Sequence, residues 1–369
     1  MDPKKSTIIV GAGVFGLSTA LELKNRGYRS VTILDRFIPP VPDGSSVDIS
    51  RIIRVDYADP LYGRMAQEAY SLWKTAYKSH YHESGFVIYA DKSGNDYMEK
   101  AKKVNEDLGN KVDYFEDAHD IRKVYPDIKS DLDGLRAMHN PKGGWADAAG
   151  AIGQLARQCS TAGVSFVTGA RGTVTSLLYK EGRLVGLDTV GGGRIMVSQI
   201  ILATGAWTNR ILQAEHATTA SGQQVGFIQL SDIEAAQMGK MPVMINLATG
   251  FFVFPATPGT NILKIARHGY GFATEETLAS DQRIISGPKL AENNANSGYI
   301  PEDAETALRQ GLRQLLPWAA DHEWTNRRLC WYSDTPEGDF IIDYHPQIDG
   351  LFLATGGSGQ YVLAQFFTV

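Results

Sequence analysis

Short apolar runs and one helical pattern alternate over the first 35 residues in the order of a βαβ unit. Thr7 to Val10 is a largely apolar run of the kind found in buried parallel strands. Leu17 to Arg26 carries apolar residues at helical spacing and is followed by Gly27, a residue type that commonly ends helices. Ser30 to Leu34 is a second strand-like run that ends at Asp35. The pattern predicts a strand, a helix and a second, parallel strand.

A glycine-rich turn of the form GxGxxG joins the first strand to the helix. Its residues are Gly11, Ala12, Gly13, Val14, Phe15 and Gly16. In this motif the first glycine permits the tight turn, the second lets a pyrophosphate approach the backbone, and the third allows the helix to pack closely on the strand. The N-terminus of the helix offers N–H groups and the positive end of a dipole to phosphates. A structural glycine turn is the alternative, but the flanking strand and helix favour dinucleotide binding.

Asp35 ends the second strand, where a carboxylate can accept a hydrogen bond from a ribose hydroxyl. An acidic residue at this point disfavours a 2′-phosphate. The βαβ unit therefore predicts a site for FAD or NAD in preference to NADP.

Two later segments repeat the pattern of an apolar strand that ends in Ala-Thr-Gly. One is Gln199 to Trp207 and the other is Leu351 to Gly359. Glycine at such a point lets the backbone pass close to a cofactor or a neighbouring strand, although an ordinary strand end has the same pattern. A helical pattern from Asp147 to Ala162 and a strand pattern from Val164 to Thr168 precede the first segment.

Because these segments are far apart in the chain, we expect a discontinuous nucleotide-binding domain interleaved with a second domain. The first is predicted to comprise residues 1–84, 146–221 and 326–369, and the second residues 85–145 and 222–325. A length of 369 residues is enough for two domains. Strand patterns at Gln224 to Ile228 and Gly250 to Pro255 indicate that the second domain contains a sheet.

The composition excludes several classes of protein. Lys and Arg total 36 against 41 Asp and Glu, and no basic cluster is present, so neither nucleic acid nor an anionic membrane is an expected partner. The only cysteines are Cys159 and Cys330, which support neither a disulfide framework nor a cysteine zinc site. We expect no metal, no signal peptide and no membrane span.

Several separated motifs between residue 7 and about residue 359 resemble the flavin amine oxidases that include monomeric sarcosine oxidase, pipecolate oxidase and fructosyl-amine oxidase (amadoriase). The motifs are Gly11–Gly16, Ser50–Arg54, Leu263–His268, Cys330–Pro336 and Asp339–Pro346. The resemblance implies an α/β fold. Its FAD-binding domain is Rossmann-like, of the glutathione-reductase type, and its α+β substrate domain is built on an antiparallel sheet.

The resemblance also implies that FAD is attached covalently. Cys330 matches the family cysteine that forms a thioether with the 8α carbon of the flavin, whereas a buried core cysteine would be the interpretation without the motif. A nearby cation would favour the thiolate, and Arg327 and Arg328 are close in sequence. Besides the glycine turn, the expected cofactor-binding residues are Asp35, Arg36, Ser45, Ser50, Arg51, Val174, Ala203, Gly205, Trp207, Cys330, Gly356, Gly357 and Gly359.

Four residues are expected to act on the substrate or on oxygen, by resemblance to the family. Lys264 would lie over the flavin face, where its charge stabilises superoxide, although a lysine that reaches solvent is the alternative. His268 would help orient the amine, and Tyr332 would offer its hydroxyl to the substrate. Arg54 would pair with the substrate carboxylate through its planar guanidinium, whereas Arg51 would lie beside the flavin; a surface salt bridge is the alternative for both.

The activity implied is the oxidation of a secondary amine, such as sarcosine, pipecolate or saccharopine, to an imine, with O2 reduced to hydrogen peroxide. A fructosyl-amino-acid oxidase is one alternative. The segment Val47 to Ile52 departs from the Asn-Asp-Leu-Asn-Lys-Ile of that branch and favours the other substrates. An NAD-linked dehydrogenase would follow only if the family assignment were wrong. We expect a monomer whose partners are a small amine and O2.

The end of the chain departs from the family pattern. Relatives continue with Ser-Gly-His-Gly-aromatic-Lys and a helix, whereas Ser358 and Gly359 are followed here by the unrelated segment Gln360 to Val369. The lysine that would assist Arg54 is missing from this segment. We therefore expect a truncated or altered product, for which flavin binding without turnover is a further alternative. No peroxisomal Ser-Lys-Leu ending is present, which leaves the cytoplasm and the peroxisome as expected locations.

Overall fold

The computed structural model describes residues 1–269, 271–290 and 293–360. The α-helices of this part are α1 (Val14–Asn25), α2 (Pro60–Lys74), α3 (Asp96–Asp107), α4 (Ala148–Thr161), α5 (Thr208–Ile211), α6 (Asp232–Met238) and α7 (Glu302–Leu315). Short 3-10 helices lie at Lys78–His80, Ala118–Lys123, Gly169–Arg171, Gly205–Trp207, Asn294–Asn296 and Pro317–Ala319. None of the helices in these residues is long and apolar enough to cross a bilayer.

The strands of the first half of the chain are β1 (Thr7–Val10), β2 (Val31–Leu34), β3 (Arg51–Ile53), β4 (Tyr81–His82), β5 (Phe86–Asp91), β6 (Asp113–Phe115), β7 (Leu135–Asn140), β8 (Gly144–Ala146), β9 (Ser165–Val167), β10 (Val174–Lys180) and β11 (Arg183–Thr189). Those of the second half are β12 (Arg194–Met196), β13 (Ile200–Leu202), β14 (Thr219–Gln229), β15 (Val243–Asn246), β16 (Phe251–Val253), β17 (Ile262–Arg267), β18 (Glu276–Thr277), β19 (Ile284–Ile285), β20 (Trp324–Asp334), β21 (Ile341–Tyr344) and β22 (Leu351–Thr355).

One sheet carries the predicted βαβ unit and has the strand order β21-β22-β13-β1-β2-β9. All neighbours are parallel except β21 with β22. Its central strands are apolar on both sides because both faces are covered. Ile9 and Ile33 pack against α1 and α4, whereas Ile8 and Val10 pack against residues of β10 and β11.

The two helices that the sequence predicts with bounds are observed as α1 and α4, and α1 is shifted. The helix α1 begins at Val14, three positions before the predicted Leu17, because Gly13 adopts the extended conformation of an N-cap directly after the turn. The helix α4 begins after Asp147, whose carboxylate accepts a hydrogen bond from Gly150 N. This cap explains why the helical pattern starts where it does.

The second large sheet has the order β20-β14-β17-β16-β15-β5-β7-β6 and is antiparallel except between β15 and β5. One face is covered by α7, through Leu308 and Leu312. Since side chains alternate along a strand, Leu263 and Ile265 of β17 point to this core and Lys264 points to the other face. The mixed α/β fold class is confirmed, whereas the residue bounds of the two domains stay a prediction.

Candidate active site

A cavity of about 960 Å³ is lined by residues of both large sheets. This volume is at the upper end of the range for ligand pockets. The structure brings most of the predicted site residues to its wall: Gly11, Gly13, Val14, Phe15, Asp35, Arg36, Ser45, Arg51, Arg54, Val174, Ala203, Gly205, Trp207, Lys264, His268, Cys330, Tyr332, Gly357 and Gly359. Four other predicted residues do not line it: Ala12, Gly16, Ser50 and Gly356.

The glycine turn of β1 and α1 forms one end of the cavity. Gly11 has a φ of +109°, and a Cβ at this position would overlap the carbonyl oxygen of Ala203. A Cβ at Gly16 would overlap the carbonyl oxygen of Gly11, which shows that Gly16 supports the turn from behind. Gly13 is the N-cap of α1 and provides no side-chain cap, whereas Oγ of Ser46 accepts a hydrogen bond from Val14 N at 2.9 Å. Gly13, Val14 and Phe15 line the cavity, so the positive end of the α1 dipole lies at its wall.

Asp35 lines the cavity and is hydrogen-bonded to the glycine turn. Its carboxylate accepts hydrogen bonds from Ala12 N at 2.7 Å and from Phe37 N at 3.2 Å. Burial raises the pKa of Asp35, although the two backbone N–H groups oppose this effect. A carboxylate that is buried beside a cavity gains from a further donor, such as a ribose hydroxyl. The turn and Asp35 therefore fit the nucleotide part of FAD.

Arg36 and Trp207 lie together beyond the turn. The Arg36 guanidinium carbon is 4.4 Å from the centroid of the Trp207 ring, and Arg36 also pairs with the buried Asp43 at 2.7 Å. A guanidinium over an indole ring is attracted by the negative face of the ring, so this contact and the pair with Asp43 hold Arg36 in place. Ser45, by contrast, donates a hydrogen bond to the backbone carbonyl oxygen of Trp331, which ties the loop before β3 to β20.

Cys330 lies on β20 and is buried next to a cation. Its Sγ is 3.2 Å from Nη2 of Arg51, the residue that begins β3. Burial opposes the charge of Arg51, but the interactions with the Cys330 sulfur and the Asp48 carboxylate outweigh burial and raise the pKa of the guanidinium. Since the thiolate is the reactive form of cysteine, this contact favours nucleophilic chemistry at Cys330.

The two arginines before Cys330 point in opposite directions, which the sequence left open. Arg328 is on the same side of β20 as Cys330 and donates to the carboxylate of Asp48 at 2.9 Å. Arg327 pairs with Glu305 on the other side, and 37% of its side chain is exposed. Alternation along the strand explains the difference. The cation nearest the thiol is Arg51, which the sequence analysis placed beside the flavin.

Lys264 is 1% exposed and does not reach solvent. Its Nζ donates to the carbonyl oxygen of Ser50 at 2.6 Å and to Oδ2 of Asp48 at 2.9 Å. Burial lowers the pKa of Lys264, Asp48 opposes this, and the positive charge of Arg51 adds to it. Ser50 thus acts through its backbone, while its buried hydroxyl has no hydrogen-bond partner among the described residues.

Arg54 also lines the cavity. It donates hydrogen bonds to the hydroxyl of Tyr97 at 2.7 Å and to the carbonyl oxygen of Asp56, and it lies 4.1 Å above the centroid of the Tyr57 ring. Within residues 1–269, 271–290 and 293–360, no carboxylate forms an ion pair with Arg54 (at most 4.0 Å). The hydrogen-bond partners of Arg54 are neutral, and the buried Asp56 carboxylate attracts the guanidinium from a greater distance. A guanidinium whose direct partners at a cavity wall are neutral is suited to an anionic ligand.

His268 and Tyr332 complete this part of the wall, with ring centroids 5.7 Å apart. Burial lowers the pKa of His268, and the charge of Arg54 lowers it further. Burial raises the pKa of Tyr332, so its hydroxyl keeps its proton at neutral pH. Both side chains can therefore form neutral hydrogen bonds to a ligand. Gly359 lies next to the Tyr332 ring, whereas Gly357 lies next to Phe15 of the glycine turn. The expected change at residues 361–369 lies outside the described residues.

Residues 6–365 of the chain match the model of one protein family, which is described as FAD dependent oxidoreductase. The chain belongs to this family. Together with the fit of the turn and Asp35, the match confirms the prediction of an FAD-dependent oxidoreductase. It also makes the alternative of an NAD-linked dehydrogenase wrong.

The relatives are amine and amino-acid oxidases. L-saccharopine oxidase of Schizosaccharomyces pombe is 31% identical over 377 residues, which cover 96% of this chain and 86% of that protein. Monomeric sarcosine oxidase of Bacillus sp. is 25% identical, with 95% and 87% covered. Among solved structures, fructosyl amine:oxygen oxidoreductase (amadoriase I) of Aspergillus fumigatus has a TM-score of 0.86 at 28% identity, with 99% of this chain and 85% of that chain covered. The predicted resemblance and fold are confirmed.

Sequence reasoning missed several residues of the site. Asp48, which contacts two predicted site residues, was given no role, and Tyr57 and Tyr97 around Arg54 were not identified. The one available signal for Asp48 was an acidic residue three positions before Arg51. Nothing in the spacing indicates that Lys264 would reach the same carboxylate.

Proposed function

We propose that this chain oxidises the C–N bond of a secondary amine that carries a carboxylate, with FAD as the first and O2 as the final electron acceptor. Candidate substrates are N-alkyl or cyclic amino acids such as sarcosine, pipecolate and saccharopine. The observation that carries the proposal is Arg54, which presents a guanidinium with neutral partners to the cavity that also contains Lys264 and Cys330. The names of the saccharopine and sarcosine oxidase relatives support the same reaction.

In this proposal the chain's residues orient the substrate. Arg54 binds the carboxylate, which fixes the carbon next to the nitrogen in front of the flavin position, and His268 and Tyr332 contact the amine. Bound FAD supplies a two-electron acceptor for the hydride equivalent from that carbon and later passes both electrons to O2. An N-alkyl amino acid, O2 and water give a carbonyl compound, a shorter amine and H2O2. A cyclic amino acid and O2 give a cyclic imine and H2O2, and water then opens the ring without release of an amine. Lys264 provides positive charge where O2 becomes reduced.

The cofactor is held, in this proposal, by groups along the whole cavity. The N-terminus of α1 binds the pyrophosphate, and Asp35 binds a ribose hydroxyl. Cys330 would hold the flavin through a thioether to its 8α carbon, with the Arg51 guanidinium beside the sulfur. The two electrons released when this bond forms would pass to O2, which would be reduced to H2O2.

A fructosyl-amino-acid oxidase is the second candidate. The structural similarity to amadoriase I favours it, and a fructosyl amino acid also carries a secondary amine and a carboxylate that Arg54 could bind. The segment Val47 to Ile52 favours the first candidate, because it differs from the pattern of the fructosyl-amine branch. We further propose that the protein works as a monomer, with the domain bounds given above, in the cytoplasm or the peroxisome.

The proposal is tested with the purified protein in two steps. Its visible spectrum is recorded before and after acid precipitation, and H2O2 release is then measured with saccharopine, sarcosine, pipecolate, fructosyl-glycine and a secondary amine without a carboxylate. We expect a yellow protein and peroxide only with carboxylate-bearing amines. A flavin-free protein, or equal rates with the amine that lacks a carboxylate, would overturn it. Fructosyl-glycine as the preferred substrate would select the second candidate.

A further inference from the structure

Three positively charged side chains from three separate parts of the chain meet at the carboxylate of Asp48. Oδ2 of Asp48 is 2.6 Å from Nη1 of Arg51, 2.9 Å from Nζ of Lys264 and 2.9 Å from Nη2 of Arg328. Asp48 and Arg51 belong to the segment that leads into β3, Lys264 to β17 and Arg328 to β20. We call Asp48, Arg51, Lys264 and Arg328 the Asp48 cluster.

The Asp48 cluster is buried and carries more positive than negative charge. The side chains of Asp48, Lys264 and Arg328 are 2%, 1% and 7% exposed, and that of Arg51 is 14% exposed. Oδ1 of Asp48 is also occupied, by a hydrogen bond from Ile49 N at 2.8 Å. A single carboxylate thus faces three cations, and water cannot compensate the remaining charge at this depth.

Only part of the Asp48 cluster reaches the cavity. Arg51 and Lys264 line the cavity wall, whereas Asp48 and Arg328 lie behind them. Asp48 therefore contacts neither the substrate space nor the flavin position, and any effect on the reaction must pass through its two neighbours. It holds the Nζ of Lys264 at one point, together with the carbonyl oxygen of Ser50.

We propose that Asp48 is a positioning residue for the oxygen half of the reaction: Asp48 keeps Lys264 protonated and directed at the cavity. Arg328 limits this effect, because it shares the same carboxylate oxygen of Asp48. This inference rests on the proposed function, since it concerns the step in which O2 accepts two electrons and two protons from the reduced flavin to give H2O2. Asp48 gains or loses no proton in that step.

The charges around Lys264 support this role. Asp48, at 2.9 Å, is its nearest negative group and favours the charged form, whereas burial and Arg51 favour loss of the proton. Arg328 adds a second positive charge on the same oxygen atom. The three cations in turn hold the pKa of Asp48 far below its ordinary value, despite its burial. Loss of the Asp48 charge should therefore lower the pKa of Lys264, and loss of the Arg328 charge should raise it.

Two variants of opposite expected sign test the proposal, Asp48→Asn and Arg328→Gln. Glu305→Gln is the matched control, because Glu305 pairs with Arg327 on the other side of the same strand. Each holoenzyme is reduced anaerobically with dithionite, and its reoxidation by O2 is followed by stopped flow at a series of pH values. Chemical reduction makes the test independent of the amine. Anaerobic reduction by the amine is measured separately and tests the proposed function.

Reoxidation of Asp48→Asn should be lost at a lower pH than in the parent, and that of Arg328→Gln at a higher pH. A shift of about one pKa unit changes the rate by roughly tenfold above both pKa values. Glu305→Gln should keep the parent profile. The dependence of the Tm on pH is a second readout. Lys264 binds its proton more strongly in the unfolded chain than in the folded protein, so the Tm rises with pH once folded Lys264 begins to lose its proton. This rise should begin at a lower pH in Asp48→Asn than in the parent, and at a higher pH in Arg328→Gln.

Profiles of both variants that coincide with the parent would overturn the proposal, as would shifts of both in the same direction. If Asp48→Asn does not fold, Arg328→Gln decides alone: an upward shift supports the role, and an unchanged or downward-shifted profile contradicts it. A parent enzyme that no amine reduces would contradict the proposed function and leave this test intact.

Discussion

Nη2 of Arg51 lies 3.2 Å from Sγ of Cys330, although 279 positions separate the two residues in the chain. The contact joins the start of β3 to the middle of β20 and gives the buried thiol a permanent cation. The guanidinium places a positive charge beside the sulfur, and a neighbouring cation is typical of cysteines with nucleophilic chemistry. The contact is the basis of the first prediction.

Cys330→Ala should lose its flavin on acid precipitation, whereas the parent protein should retain it in the pellet. The reason is that only the Cys330 sulfur lies beside Arg51 at the cavity. The absorbance of pellet and supernatant measures the distribution. Cys159→Ala is the matched control, since Cys159 is the other buried cysteine and its thiol donates to the carbonyl oxygen of Leu17 in the core. Release of flavin from the parent protein would contradict covalent attachment.

Arg54→Met should impair use of the carboxylate-bearing amine. Hydrogen bonds to charged groups contribute about 1.5–3 kcal/mol each, so kcat/KM should fall by roughly 10- to 100-fold. The amine without a carboxylate should lose little, because it makes no such contact. Steady-state peroxide assays with both amines give the two ratios.

Tyr97→Phe is the control for this change. It removes the 2.7 Å hydrogen bond that helps hold the Arg54 guanidinium but leaves the charge in place, so its effect on kcat/KM should be smaller than that of Arg54→Met. An equal loss of activity toward both amines in Arg54→Met would mean that Arg54 supports the structure of the wall and does not bind the carboxylate.

His268→Gln should weaken the pH dependence of stability. Burial and Arg54 lower the pKa of His268 in the folded protein, so between that pKa and the ordinary value of about 6.5 the unfolded chain binds more protons. The free energy of unfolding of the parent therefore rises with pH in this window, and the neutral glutamine removes that contribution. Scanning calorimetry from pH 5 to 7 should show a smaller rise in Tm for the variant. A rise equal to that of the parent would contradict the buried, neutral state of His268.

Gly16→Ala should destabilise the protein and weaken flavin binding. A Cβ at this position would overlap the carbonyl oxygen of Gly11, so the turn and the start of α1 would have to separate. Gly153→Ala, within α4, is the matched control, because its nearest neighbours lie 3.4 Å or more from the added Cβ. Alanine has the higher helix propensity by about 1 kcal/mol, so Gly153→Ala should raise the Tm or leave it unchanged. Thermal unfolding and flavin content compare the two, and a Gly16→Ala protein as stable as the parent would show that the turn can move freely.

Local patterns in the sequence were sufficient for the elements that carry the cofactor end of the site. The apolar run Thr7–Val10, the glycine turn and the apolar run Val31–Leu34 follow one another in the order that predicts β1, α1 and β2. Such elements can be predicted because periodicity and a tight turn depend on neighbouring residues. The same holds for α4, whose start is marked by the capping side chain of Asp147. Resemblance to the family then supplied residues such as Lys264 and Cys330, which periodicity alone would have assigned to a sheet edge and a core.

The convergence at Asp48 was decided only by the tertiary structure. Arg328 is 280 positions from Asp48 in the chain. Alternation along β20 places Arg327 and Arg328 on opposite faces of the sheet, but it does not show which face is covered. The local pattern therefore cannot show which of the two arginines faces inward. Packing of α7 on one side of the antiparallel sheet makes that choice and leaves Lys264 and Cys330 on the other. The sequence by itself thus determined the local elements and the family, since both depend on residues in order. Only the folded chain determined which charges share one carboxylate, since that depends on distance between residues that are far apart in the sequence.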